Sequence, residues 1–152
     1  MTNAHEHTAG VTPSVAGPMN MAAQAMAHDP AALALIDLTG PARRDISHGA
    51  LAEMVDGLAR YLLTRIQPGD RVGVLLSQSP WCAAAHLAVW KLGAISVPLF
   101  KLFKRDALAS RAGDAGVALV LTDAEGAALL GDLAEAVMAA EVGTDGPPVD
   151  FA

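Results

Sequence analysis

From Ser47 onward the apolar positions of this chain settle into helical spacing. Leu51, Met54, Val55, Leu58, Leu62 and Ile66 form a single stripe, which predicts a helix from about Gly49 to Ile66 with one face turned to a core. Ser47 is placed to cap its start, and Gln67-Pro68-Gly69-Asp70 to stop it. Arg71-Val72-Gly73-Val74-Leu75-Leu76 follows as a nearly continuous apolar run, the pattern of a strand covered on both faces. Ser79 and Pro80 then open a second helix that Gly93 closes, the usual asymmetry of helix ends. Its body, Ala83 to Leu92, is almost wholly apolar and is predicted to be buried.

The alternation continues to Leu130. Ala94 to Leu99 predicts a strand, which Pro98 pushes toward an end or an edge. Arg105 to Ala112 suits a helix, Val117 to Leu121 a buried strand, and Thr122 with Glu125 a capping box opening a helix through about Leu130. Upstream, a short helix is expected from Asn20 to Ala27. His28-Asp29-Pro30 breaks it, since a residue before proline avoids helical geometry. Ala34 to Leu38 reads as a strand, and Arg44 to Ile46 as a second extended segment. Residues 1–18, with Gly10, Pro13, Gly17 and Pro18 and no periodicity, are expected to form a flexible arm. Residues 143–152 are a turn-rich end, which leaves 19–142 as one domain. Strands alternating with helices across short connections predict an α/β fold, a mostly parallel sheet with helices on both faces.

Composition narrows the class. The chain has 152 residues, 53% hydrophobic and 4% aromatic, so its core is built from aliphatics and alanine. A formal net charge of −6 argues against nucleic acid or an anionic membrane as partner, since both select basic surfaces. No apolar run reaches the ~18 residues of a membrane span. Met1 to Gly10 lacks the pattern of a secretory signal, and Cys82 is the sole cysteine, which fits a reducing cytoplasm. Every Lys and Arg lies at or before Arg111, whereas Asp114, Asp123, Glu125, Asp132, Glu135, Glu141, Asp145 and Asp150 follow it. Such a tract is ordinarily a solvated acidic surface; the sharper alternative is that its basic partners lie outside this sequence.

Residue by residue, no catalytic set and no metal set emerges. His5 and His7 sit in the expected arm without further ligands at metal spacing. His86 and Cys82 fall in the apolar helix and read as core residues. Ser77 and Ser79 are turn and cap residues, since no Gly-x-Ser-x-Gly surrounds them. Neither Gly-rich phosphate cradle occurs, and lysine is confined to positions 91, 101 and 104.

Whole segments in order carry more. Arg44-Asp45-Ile46-Ser47 followed by Leu51-Ala52-Glu53 resembles the first block of adenylate-forming enzymes, with His48 and Gly49 where an aromatic is usual. Gly69-Asp70-Arg71-Val72 matches that family's turn and strand, and Ser79-Pro80-Trp81 its next helix start. Ala88 to Phe100 resembles the second block, Leu-Lys-Ala-Gly-Ala-x-x-Val-Pro-Leu, whose glycine and small residues suit a helix-to-strand turn packed tightly on the sheet. Leu108 to Thr122, with Arg111 and Asp114, continues it. The stretch from Phe100 to Phe103 into Asp106-Ala107-Leu108 is most similar to AMP-forming acyl-CoA synthetases of the acetyl and medium-chain kind. The resemblance runs from about residue 30 to 126.

That resemblance implies an incomplete amino-terminal subdomain of an adenylate-forming enzyme. The implied enzyme is a ligase of fatty acid metabolism joining a carboxylic acid to coenzyme A, with ATP, Mg²⁺ and coenzyme A as ligands and AMP and pyrophosphate as products. The family's phosphate loop, ribose-binding Asp and mobile lysine match no position here, so the expectation is a fragment that is inactive by itself, whose packing partner is the rest of the synthetase. On that reading the apolar segments 72–76, 83–99 and 117–121 lack some of their neighbours. One ligand contact is expected nearby: the segment aligned with Phe100-Lys101-Leu102-Phe103 reads Phe-Gly-Gly-Phe in acetyl-CoA synthetases and lies beside the coenzyme A nucleotide. The resemblance thus points to Phe100, Lys101 and Phe103 as the coenzyme A vicinity, although two arginines that meet that nucleotide align with Ala128 and Gly131. The competing reading is a non-catalytic α/β module that binds a protein partner or a nucleotide.

Overall fold

The computed structural model describes residues 19–117 and 119–142; the expected arm at 1–18 and the turn-rich end at 143–152 lie outside the described residues. A short helix, α1 (Met21–Met26), leads into an antiparallel pair, β1 (Leu33–Asp37) and β2 (Arg44–Ser47). Then follow α2 (His48–Leu63), β3 (Arg71–Leu75), α3 (Pro80–Lys91), β4 (Ile95–Pro98), α4 (Arg105–Ala115), β5 (Leu119–Thr122), α5 (Ala124–Leu130) and β6 (Glu135–Met138). A 3-10 turn at Ala139–Glu141 completes the order.

The last four strands form an all-parallel sheet in the order β4-β3-β5-β6, while β1 and β2 make a separate two-stranded sheet. Side chains alternate across a strand, and the sheet uses both faces. Val72 and Val74 of β3, Leu119 and Leu121 of β5, and Val137 of β6 pack with Val55, Leu58 and Leu62 of α2 and Ala84, Ala88 and Val89 of α3. The alternate positions, Leu75 and Val120, pack with Leu108 and Ala112 of α4 and Leu130 of α5. Helices therefore cover both faces, as the near-continuous apolar runs predict.

Differences from the sequence-based expectations have local causes. The helix α2 stops at Leu63 rather than Ile66, yet Ile66 stays buried because its N–H still donates to the Leu62 carbonyl at 3.0 Å. Thr122 is not a helix cap: it ends β5, and its hydroxyl donates across the sheet to the Leu75 carbonyl at 2.8 Å. Asp123 caps α5 instead, its Oδ1 accepting the Gly126 N–H at 2.9 Å. The strand β6 was not foreseen. Of the three apolar segments, β3 and β5 are covered on both faces, and the exposed positions, Gly93, Ile95 and Pro98, lie on or just before edge strand β4. His48, standing where the related block carries an aromatic, stacks its ring on His28 with centroids 4.5 Å apart.

The hairpin is pinned by charge. Asp37 is 3% exposed, accepts from Thr39 N–H at 2.9 Å and Thr39 Oγ1 at 2.7 Å, and takes Arg44 Nε at 3.0 Å across the strand pair. The Thr39 hydroxyl and amide, then the Arg44 guanidinium, hold its carboxyl down to about 2. An unfolded Asp titrates near ~3.9, so the stabilisation is complete above that value and is lost as pH falls toward the folded one. The urea midpoint of the chain is expected to drop from about pH 4 to about pH 2.5 more steeply than that of Asp37→Asn. Equal slopes would sink this assignment.

Candidate functional site

The sheet order creates one special place. From β3 the chain crosses to β4 on one side, then returns to β5 on the other, so the connections leaving β3 and β5 diverge at their carboxyl ends. Open α/β sheets bind ligands in the crevice at such a reversal. Here a cavity of about 230 Å³ lies there, lined among others by Leu76, Ser79, Trp81, Thr122, Asp123 and Glu141. Ser79 Oγ is engaged in capping α3, accepting the Cys82 N–H at 3.3 Å.

Beside the crevice, the loop after β4 carries the residues singled out from sequence. Phe100 and Phe103 meet edge to face, with centroids 5.4 Å apart and planes at 88°. Phe103 packs on the α4–α5 side of the core, and Arg111 lays its guanidinium 3.9 Å above that ring. Phe100 is 54% exposed and Leu102 95%, so the loop ends in an apolar tip. The structure brings Phe100 and Phe103 together, while Lys101 between them reaches α5 instead.

Lys101 is largely covered, and its ammonium reaches two carboxylates, Asp123 Oδ2 at 2.7 Å and Glu125 Oε2 at 2.8 Å. Partial burial pulls its pKa down, but the two carboxylates outweigh burial and the net shift is upward. For Asp123, burial pushes up, while Lys101 and the Gly126 N–H pull harder, leaving its pKa below the ordinary range. The loop is thereby tied to the start of α5. A second tie lies one turn further on, where Arg105 donates to the Leu130 carbonyl at 3.1 Å and pairs with Asp132. Three residues of the acidic tract thus find their partners within this chain, which settles the alternative of outside partners for those three. None of this was visible in sequence, because Lys101 and Asp123 stand 22 positions apart.

The other polar candidates serve the interior. Cys82 is buried, and burial raises its thiol pKa, so it is a poor nucleophile. His86 Nδ1 lies 3.1 Å from Ser96 Oγ, and burial lowers its imidazole pKa. Both border a cavity of about 520 Å³ between β1 and the start of α3. Among the described residues no cluster of three or more His, Cys, Asp or Glu could hold a metal ion, and no helix is long and apolar enough to cross a membrane.

Comparison with known proteins agrees with this geometry. The family model for AMP-binding enzymes matches residues 22–150. The acetyl-coenzyme A synthetase of Rhodobacter capsulatus is 43% identical over 80 residues, 52% of this chain and 12% of that protein. That of Novosphingobium aromaticivorans is 33% identical over 133 residues, 82% of this chain and 20% of that protein. The chain therefore spans no more than a fifth of the length of either relative. In fold it superposes on apo MatB from Rhodopseudomonas palustris with a TM-score of 0.70 and 22% identity, covering 88% of this chain and 30% of that one. Parallel sheet, diverging connections and family match converge: the chain belongs to the AMP-binding, adenylate-forming enzyme family and corresponds to an amino-terminal, acyl-CoA synthetase-like segment of it.

Proposed function

We propose that this chain supplies the amino-terminal scaffold of an AMP-forming acyl-CoA synthetase and does not catalyse ligation by itself. The complete reaction joins a carboxylic acid to coenzyme A in two halves. The carboxylate attacks the α-phosphate of ATP, releasing pyrophosphate, and the thiolate then displaces AMP from the acyl-adenylate. Charge building on the phosphates has to be met by backbone amides, Mg²⁺ and a lysine aimed at the reacting oxygens. The observation that carries the reading is a family match over residues 22–150 in a sequence without a Gly-rich phosphate loop. The lysines support it: Lys91 is buried between helices and Lys101 is tied to carboxylates, while Lys104 stands at the start of α4.

In this proposal residues 19–142 are the structural unit, the remainder of the synthetase packs beside it, and the protein works in the cytoplasm. The test is carboxylate-dependent ATP–pyrophosphate exchange with the purified chain, using acetate and a medium-chain acid in turn. No exchange above a blank is expected. Exchange that depends on the added acid would show that this chain handles phosphate, and the proposal would fall.

A further inference from the structure

Coenzyme A follows from the proposed function, and its charged end, adenosine bearing a 3′-phosphate and a 5′-diphosphate, can be tried against the residues present. The resemblance places that end beside Phe100 to Phe103 and beside Ala128 and Gly131, in the second half and at the end of α5. We infer that this edge refuses a nucleotide phosphate, because two internal latches already hold Lys101 and Arg105 and carboxylates balance the remaining cations.

The first latch is Lys101, bonded to Asp123 and Glu125 at once. Asp123 cannot easily turn away, since its other oxygen caps α5 through the Gly126 N–H at 2.9 Å. An incoming phosphate would have to displace carboxylates that are permanently adjacent, an intramolecular advantage that a dissolved ligand meets only at high concentration. The second latch is Arg105, held by the Leu130 carbonyl and Asp132. Its guanidinium occupies the space over Gly131, where a side chain would run into Nη1. Gly131 also has φ +58°, a conformation side chains rarely adopt. Gly131 and Ala128 therefore offer a ligand no side-chain donor, and the backbone at Gly131 disfavours any larger residue. The wider surface gives no surplus charge. With Lys104, Arg111, Asp106 and Asp114 counted on the same loop and helix, the edge sets four cations against five carboxylates. Arg111 is further engaged with the Phe103 ring and the Ala107 carbonyl.

The inference rests on the proposed family role, but it concerns this chain's own surface and is read by binding, so it can fail while the exchange assay still stands, and the reverse. The probe is adenosine 3′,5′-bisphosphate, titrated into the ¹⁵N-labelled chain at low ionic strength with amide shifts as readout. No saturable shift at residues 100–105 or 123–132 is expected up to about 1 mM ligand. Saturation below that, weakened at least about tenfold by Lys101→Ala, overturns the inference. The converse arm opens the latches with Asp123→Asn, Glu125→Gln and Asp132→Asn together; asparagine keeps the helix cap. Affinity is expected to rise at least about tenfold and to fall again with added salt. A variant confined to the exposed Glu125 and Asp132 repeats the test without touching the cap, with the same expected direction. Variants that keep the native amide pattern yet gain no affinity would show that the carboxylates are not what closes the edge.

Discussion

Asp56→Ala is expected to destabilise this chain by about 3–5 kcal/mol, the range for removing one partner from a buried ion pair. Asp56 lies in the middle of α2 and Lys91 at the end of α3, and the ammonium sits 2.6 Å from Oδ1. Their side chains are 13% and 4% exposed, between two helices that share a cluster made mostly of Leu, Val and Ala. Alanine would remove a carboxylate from a largely buried ammonium, a group that is costly to desolvate. Urea unfolding followed by circular dichroism measures the loss. The companion Asp56→Leu with Lys91→Met tests the cause: two apolar groups of similar volume should restore most of the stability. A single-variant loss under about 1 kcal/mol, the size of an exposed pair, would mean that water reaches the seam.

Gly126→Ala should cost about 3 kcal/mol, at the upper end for overpacking a core. The glycine sits in the first turn of α5 where that helix crosses the ends of β3 and β5. A methyl group there would run into Thr122 Oγ1 and lie 2.8 Å from the Leu75 carbonyl oxygen. Those two atoms are bonded to each other across the strands, so the methyl group either breaks that bond or lifts the helix. Backbone on one side and a fully buried threonine on the other leave no flexible neighbour to yield. Gly113→Ala is the control in the same assay. It lies within α4 with nothing within 4 Å of an added Cβ, and the substitution should stabilise by about 0.5–1 kcal/mol. If both glycines respond alike, close packing is not what fixes residue 126.

The fold was legible where one face or both faces of an element are apolar. The stripe from Leu51 to Leu62 located α2, and the runs at Val72 and Leu119 located the buried strands. The strand β6 escaped because only Val137 of Glu135-Ala136-Val137-Met138 is buried, so an edge strand left no run to read. The cap of α5 was misassigned because Thr122 and Asp123 are both capping residues, and only the sheet shows that Thr122 is needed for Leu75. The candidate site was half legible. Resemblance brought attention to Phe100 through Phe103, but no pattern within a window of neighbouring residues could show that Lys101 answers Asp123 or that Lys91 answers Asp56, 35 positions away. Ion pairs between elements depend on which helices and strands become neighbours, and that is decided by the packing of the whole.

The sheet order has a kinetic consequence. With every neighbouring pair parallel, no contact in the sheet can form by a local hairpin, and each waits for a crossover to close. The central pair is the most demanding: the Thr122–Leu75 bond joins residues 47 positions apart, across α3, β4 and α4. Loop closure of that kind slows folding more than it weakens the final state. The β3–β5 seam is therefore expected to close late in assembly, and it borders the crevice and the first latch.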